Sequence, residues 1–129
     1  MKKAGLIACS LVALQMCNCS GLFGKYEVVY KAWGSASDVK LRYYDSQENE
    51  VIEYEYALPF NYSFRTGNGE QALEVSVTKE HAAIGSEAYV EIWVNGVRLG
   101  EGHGYVGQNT GDFLLAQTGI VWPSDGDGE

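Results

Sequence analysis

Between residues 26 and 99, apolar and polar side chains alternate with a period of two. Tyr26, Val28 and Tyr30 alternate with Glu27, Val29 and Lys31. Val39, Leu41 and Tyr43 alternate with Lys40, Arg42 and Tyr44. Further runs put Ile52, Tyr54, Tyr56 and Leu58 on one face, then Phe60, Tyr62 and Phe64, then Leu73, Val75 and Val77, then Val90, Ile92 and Val94. A period of two with one apolar face describes half-buried antiparallel strands. No segment carries a sustained 3.6-residue stripe, and Lys79–Glu87 has room for a helical turn at most.

The connections agree with strands. Gly34–Asp38, Asp45–Asn49 and Gly67–Gly69 are clusters of turn residues. Asn95-Gly96 separates Tyr89–Val94 from Val97–Leu99, a strong two-residue hairpin signal because both positions tolerate positive φ. Pro59 cannot donate to a central ladder and ends a strand. After Gly100 the alternation loosens into a glycine-rich, flexible or bulged stretch, and Phe113–Ala116 with Gly119–Trp122 supply a last strand. Short strands at this spacing predict an all-β, antiparallel, immunoglobulin-like β-sandwich of about seven strands. The domain is expected over 25–122, with a tether at 20–24 before it and an acidic disordered tail at 123–129 after it.

The N-terminus reads as an address. Lys2 and Lys3 precede an uncharged run, Ala4–Leu14, too short to span a bilayer. A basic start, a short apolar stretch and then small or polar residues describe a bacterial export signal, here over 1–19. All three cysteines lie in it: Cys9, Cys17 and Cys19. A cysteine just after such a run is a candidate lipid-attachment site. Cys17 follows Leu14-Gln15-Met16 and fits best, Cys19 is second, and Cys9 sits too close to the basic start. Plain secretion, with the cysteines lost in a discarded peptide, is the competing reading. The expected location is the cell envelope, as a membrane-anchored lipoprotein. A domain without cysteine must rely on its own core, and about 110 residues suffice for one.

Beyond residue 19 the chain carries seven Lys and Arg against seventeen Asp and Glu, a formal charge of −10. That balance argues against nucleic acid and against adsorption to anionic lipid, and suits either plain solubility or a basic partner. Gly102-His-Gly-Tyr-Val-Gly107 has the spacing G-x-G-x-x-G, but a hairpin before it and a loop after it exclude the strand–helix setting of a dinucleotide site. A bulge, or a place where another backbone passes close by, is expected instead. Asp125, Asp127 and Glu129 resemble the start of a calcium loop without its later acid. His81 and His103 sit on separate segments and read as surface histidines. No metal, no cofactor and no catalytic group is expected. Nine Tyr, four Phe and three Trp are mostly core and cross-strand packing. The neighbours Tyr43 and Tyr44, and the opposite parities of Tyr30 and Trp33, require some rings to face outward.

Taken in order, Tyr26–Gly34, Asp38–Asp45, Ala57-Leu-Pro-Phe60, Leu73–Val77 and Val90–Gly96 resemble the MmpS-type domain (mycobacterial membrane protein, small). The resemblance covers about residues 25–107, with Phe60 where the family has tryptophan after Leu-Pro. It implies a β-sandwich and a non-enzymatic role as accessory to a membrane transporter or another envelope protein. Under it the residues to test for interaction are Leu58, Pro59 and Phe60 at the corner and Asn95 and Gly96 at the hairpin, which corner packing and turn geometry also explain. The alternative is a module that binds an envelope glycan or small ligand through exposed Tyr and Trp.

Overall fold

The computed structural model of the chain describes residues 26–67, 69–109 and 111–123. The export signal with Cys17 and Cys19, the tether, and the tail beyond Pro123 lie outside the described residues. Eight antiparallel strands make up the fold: β1 (Tyr26–Gly34), β2 (Val39–Tyr44), β3 (Glu50–Tyr56), β4 (Phe60–Thr66), β5 (Gln71–Lys79), β6 (Glu87–Val94), β7 (Val97–Tyr105) and β8 (Leu114–Trp122). They form two sheets, ordered β4-β1-β6-β7 (sheet A) and β3-β2-β5-β8 (sheet B). This is the expected β-sandwich with one strand more than anticipated. The glycine-rich stretch after Leu99 is not a loop but the body of β7.

The alternation does what it implies along most strands. Val28, Tyr30 and Ala32 of β1 face Val39, Leu41 and Tyr43 of β2 and Leu73, Val75 and Val77 of β5, all buried. Val90, Ile92, Leu114 and Ala116 complete the core. Each Val, Leu or Ile removed from water in this way contributes roughly 1.5–3 kcal/mol. The Asn95-Gly96 hairpin forms as read: both residues have positive φ, 51° and 82°, and Val94 pairs with Val97.

One run departs from its pattern. Val39 pairs with Tyr56 but Leu41 pairs with Glu53, so β3 carries an extra residue opposite β2. Glu55 takes it up at φ 52°. The bulge moves Ile52 and Tyr54 to the outer face, where Tyr54 is 71% exposed. Val51, Glu53 and Tyr56 take the inner parity instead, a one-residue slip that exchanges the two faces.

The two sides of the sandwich are built differently. On one side, Gly100, Gly102 and Gly104 of β7 point inward at β8. A methyl group at Gly102 would lie 2.2 Å from the Gln117 carbonyl oxygen, and one at Gly104 2.2 Å from that of Leu115. The missing side chains let the two backbones of opposite sheets nearly touch, as the spacing of Gly102 and Gly104 suggested. On the other side the sheets are held apart by rings. Tyr30, Tyr43, Phe60, Tyr62 and Phe64 form a continuous cluster with centroid separations of 4.9 to 6.2 Å, and Tyr56 meets Phe60 edge-on.

Tyr30 is fully buried at the heart of that cluster. Its hydroxyl donates to the Tyr44 carbonyl of β2 at 2.6 Å and accepts the Glu74 N–H of β5 at 3.3 Å. A side chain of sheet A thus satisfies two backbone groups of sheet B. Burial raises its pKa far above the ordinary phenol range, the Glu74 N–H opposing. Burial, with Tyr62 nearby, pushes Tyr43 up to about 12. Both phenols stay protonated and can donate throughout the physiological range.

Three substitutions, one of them a control, test this asymmetric closure in urea denaturation. Gly102→Ala overpacks the β7–β8 contact and should cost about 1–3 kcal/mol. Gly69→Ala, with open space around it, should stay within about 0.5 kcal/mol of wild type. Tyr30→Phe keeps the ring and orphans the Tyr44 carbonyl, for an expected loss of about 1–3 kcal/mol.

Candidate interaction surfaces

The outer face of sheet A carries the most organised surface of the described residues. It is set by a second bulge. Trp93 pairs with Arg98 but Ile92 pairs with Gly100, leaving Leu99 as the extra residue of β7. That residue turns the three glycines inward and Glu101, His103 and Tyr105 outward. The register then aligns Trp33 of β1, Tyr89 of β6 and His103 of β7 in one row.

The three side chains stack. Trp33 and Tyr89 lie 5.3 Å apart at 11°, and Tyr89 and His103 lie 4.3 Å apart at 4°. Near-parallel rings this close overlap face to face, because rings lying side by side in one plane need more room. Tyr89 is therefore sandwiched, and solvent meets ring edges and the outer faces of Trp33 and His103. Trp33 is 38% exposed. The Tyr89 hydroxyl donates to Glu87 at 2.8 Å, and that bond raises its pKa.

Beside the row lies a shallow hollow of about 460 Å³, walled by the rings and by Glu91, Arg98 and Glu101. Glu91 accepts the Trp93 indole N–H at 2.7 Å and an Arg98 N–H at 3.1 Å. Arg98 also sits 3.4 Å from Glu101. Lys31 Nζ lies 4.7 Å from the Trp93 ring centre. Aromatic and guanidinium groups held by a rigid sheet, with carboxylates to orient them, suit binding: Trp, Tyr and Arg carry most interface energy.

The outer face of sheet B is a polar rung. Arg42 pairs with Glu50 of β3 and, at 2.8 Å, with Glu74 of β5, while Gln117 of β8 donates to Glu74 at 3.1 Å. Arg42 lies over Tyr44. These bonds raise the Arg42 pKa, the Glu50 bond most, and keep it a fixed cation. Such half-exposed pairs are worth about 0–1 kcal/mol each.

The residues singled out from the sequence fall in two places that the fold does not bring together. Phe60 is buried in the ring cluster, Leu58 is half-buried and Pro59 is exposed, so the corner offers little more than Pro59 and part of Leu58 to a partner. Phe60 pairs opposite Ala32 near the end of β1. Asn95 and Gly96 are exposed at the start of β1, where Asn95 exchanges bonds with Glu27 at 2.8 and 2.9 Å. Among the described residues no group of three or more His, Cys, Asp or Glu is placed to hold a metal ion. The parity argument found Trp33 as an outward ring. It could not find its partners, because Tyr89 and His103 reach it only through cross-strand register.

His81 has a structural task. Its Nδ1 lies 2.9 Å from the Asp112 carboxylate, and the Ala82 N–H donates to the Asp112 carbonyl at 2.7 Å. Together they fasten the β5–β6 loop to the β7–β8 loop. The Asp112 bond raises the His81 pKa above its ordinary 6.5. The pair's contribution is therefore complete below the ordinary value and fades as pH rises through the raised one. In an NMR titration His81 should protonate above pH 6.5 in the wild type and near 6.5 in Asp112→Asn, and equal midpoints would dismiss the pair.

No family model matches the chain, and no curated protein matches it.

Proposed function

We propose that this chain is an exported envelope protein, held to a membrane by a lipid on Cys17 or Cys19, that works without catalysis as an MmpS-like transport-accessory or protein-interaction module. The observation that carries the reading is the outer face of sheet A, where Trp33, Tyr89 and His103 stand in register on a rigid support and Glu91 holds Arg98 beside them. Desolvating such a surface gives a partner large, prearranged rings at little entropic cost. Position supports it too. β1 starts just after the tether, so the Asn95-Gly96 hairpin lies at the tethered end. Trp33 stands seven residues further along the strand, about 23 Å away at the usual strand rise. The ring row thus faces a partner standing off the membrane.

A second reading, a module for an envelope glycan or small ligand, draws on the hollow bounded by the rings and the Glu91–Arg98–Glu101 group. The overlap of the rings leaves no broad flat platform for a sugar, which places this reading second.

Two measurements test the proposal. Intact mass of the membrane-fraction protein should show an acylated species that Cys17→Ser abolishes, or Cys19→Ser if that is the site. A photocrosslinker at position 103 should capture one membrane protein in cells. The same group at Glu70 should not, and Trp33→Ala should weaken the capture several-fold. Equal capture at both positions contradicts the reading. Quenching of tryptophan fluorescence by neutral oligosaccharides, lost in Trp33→Ala, would establish the second reading instead.

A further inference from the structure

The two sheets have four edge strands: β4 and β7 in sheet A, β3 and β8 in sheet B. An edge strand is a template for another chain unless something covers or blunts it. The Leu115 and Gln117 carbonyls of β8 abut the inner side of the β7 glycines, so the β8 edge is covered. The Glu55 bulge blunts β3. Strands β4 and β7 remain, and it is beside β7 that the side chains identify an occupant. The Leu99 bulge lies near the start of β7. Beyond it, Gly100–Tyr105 hold six consecutive pairs with β6, and no strand pairs with β7 on its other side.

The backbone phase of β7 follows from two observations that agree. Asn95 donates its N–H to the Glu27 carbonyl at 2.8 Å, so Trp93, Glu91 and Tyr89 of β6 aim their backbone groups at β1, and Val94, Ile92, Val90 and Ala88 aim theirs at β7. Val94 and Val97 flank a two-residue turn, where such a hairpin places a hydrogen-bonded pair. Gly102 and Gly104, opposite Val90 and Ala88, therefore bond to β6. Glu101, His103 and Tyr105 turn N–H and C=O away from it, toward the free edge. The ring spacings follow the same phase. Tyr89 and His103 form a non-hydrogen-bonded pair, in which side chains come closest, and their rings lie 4.3 Å apart. Trp33 and Tyr89 form a hydrogen-bonded pair, and theirs lie 5.3 Å apart.

The same three residues carry their side chains on the outer face of sheet A, and all three are exposed. The stack Trp33–Tyr89–His103 stops at His103 because β7 is the last strand, which leaves the far face of the imidazole to whatever lies beside the edge. Next to it the Glu101 side chain is 67% exposed. The outer face of β6 and β7 holds Glu87, Glu91 and Glu101 against one cation, Arg98. Strand β8 beneath carries no charge, and Lys31 sits two strands from the edge, over Trp93. We propose that the β7 edge is the docking site for an extended, arginine-bearing segment of a partner protein, added as a fifth strand of sheet A. Its backbone pairs with Glu101, His103 and Tyr105. Its outward side chains lie directly across from theirs: one guanidinium stacks on His103 and continues the row, and another meets Glu101. Its inward side chains lie beside bare glycines and are short and apolar. A second copy of this chain is the wrong occupant, since its β6–β7 face has the same negative balance. The inference rests on the reading of the chain as a protein-interaction module and names the edge and the partner chemistry.

The test uses the ¹⁵N-labelled full chain and two capped eight-residue peptides, one alternating Arg with Val and one alternating Glu with Val. The Arg–Val peptide should bind more tightly, shift the Glu101, His103 and Tyr105 amides and slow their hydrogen exchange. Tyr105→Pro removes an edge-facing donor while sparing the bonds to β6, and should weaken binding about tenfold or more. Glu101→Lys should cut the preference for Arg–Val over Glu–Val several-fold, a readout that does not depend on how well the proline variant folds. No binding, equal binding of the two peptides, shifts confined to other strands, or a peptide-free dimer joined through β7 would overturn the proposal. Capture of a partner in cells at position 103 that Tyr105→Pro leaves unchanged would overturn this inference alone and leave the interaction-module reading standing.

Discussion

The close approach of β7 to β8 governs the shape of this domain. Two backbones from opposite sheets pass within reach only because positions 100, 102 and 104 carry no side chain. Fixed at that distance on one side, twisted sheets diverge toward the other, and the gap must be filled. Six aromatic side chains fill it, and Tyr30 ties across it by bonding to the backbones of β2 and β5. The glycines and the rings are therefore two halves of one solution.

The same asymmetry sorts the edges. Closure on the glycine side consumes the uncharged β8, the strand whose composition most invites pairing with another chain. The side propped open by rings keeps its edges: β3 with Glu50, Glu53 and Glu55, and β4 with Arg65 as its one charge. The outer face of sheet A adds a separate surface, where the Leu99 bulge turns His103 outward to complete a row begun by Trp33. A single inserted residue thus does two jobs: it aims glycines into the interior and a ring out of it.

Most of this fold could be read in the sequence, because its strands are half-buried and period two is then enforced by the core. The inward sets Val28–Tyr30, Val39–Tyr43, Leu73–Val77 and Val90–Val94 stand where parity placed them, and Asn95-Gly96 turns as its chemistry requires. What escaped depends on events between strands. The bulge at Glu55 exchanged the faces of Ile52 and Tyr54, and nothing local marks it, since glutamate at positive φ is held by tertiary pairing. The glycines of β7 read as a flexible or bulged stretch or a place of close backbone approach; the close approach is what they serve, and what escaped was that they form the body of a strand. The ring row and the open β4 edge were out of reach for the same reason, since both are properties of register and sheet order.

Residue-by-residue amide hydrogen exchange on the dilute protein, without any partner, tests the account at its centre. Glu27 accepts the Asn95 N–H, so Val28 and Tyr30 bond toward β4 and pair with Phe64 and Tyr62; if β4 is an open edge, its amides therefore alternate, Tyr62 and Phe64 protected and Asn61 and Ser63 exchanging quickly, while β1 and β6 beside them stay slow along their length. Uniform protection across Asn61–Phe64 would contradict the account, since the edge would then already be covered and the domain's open side closed.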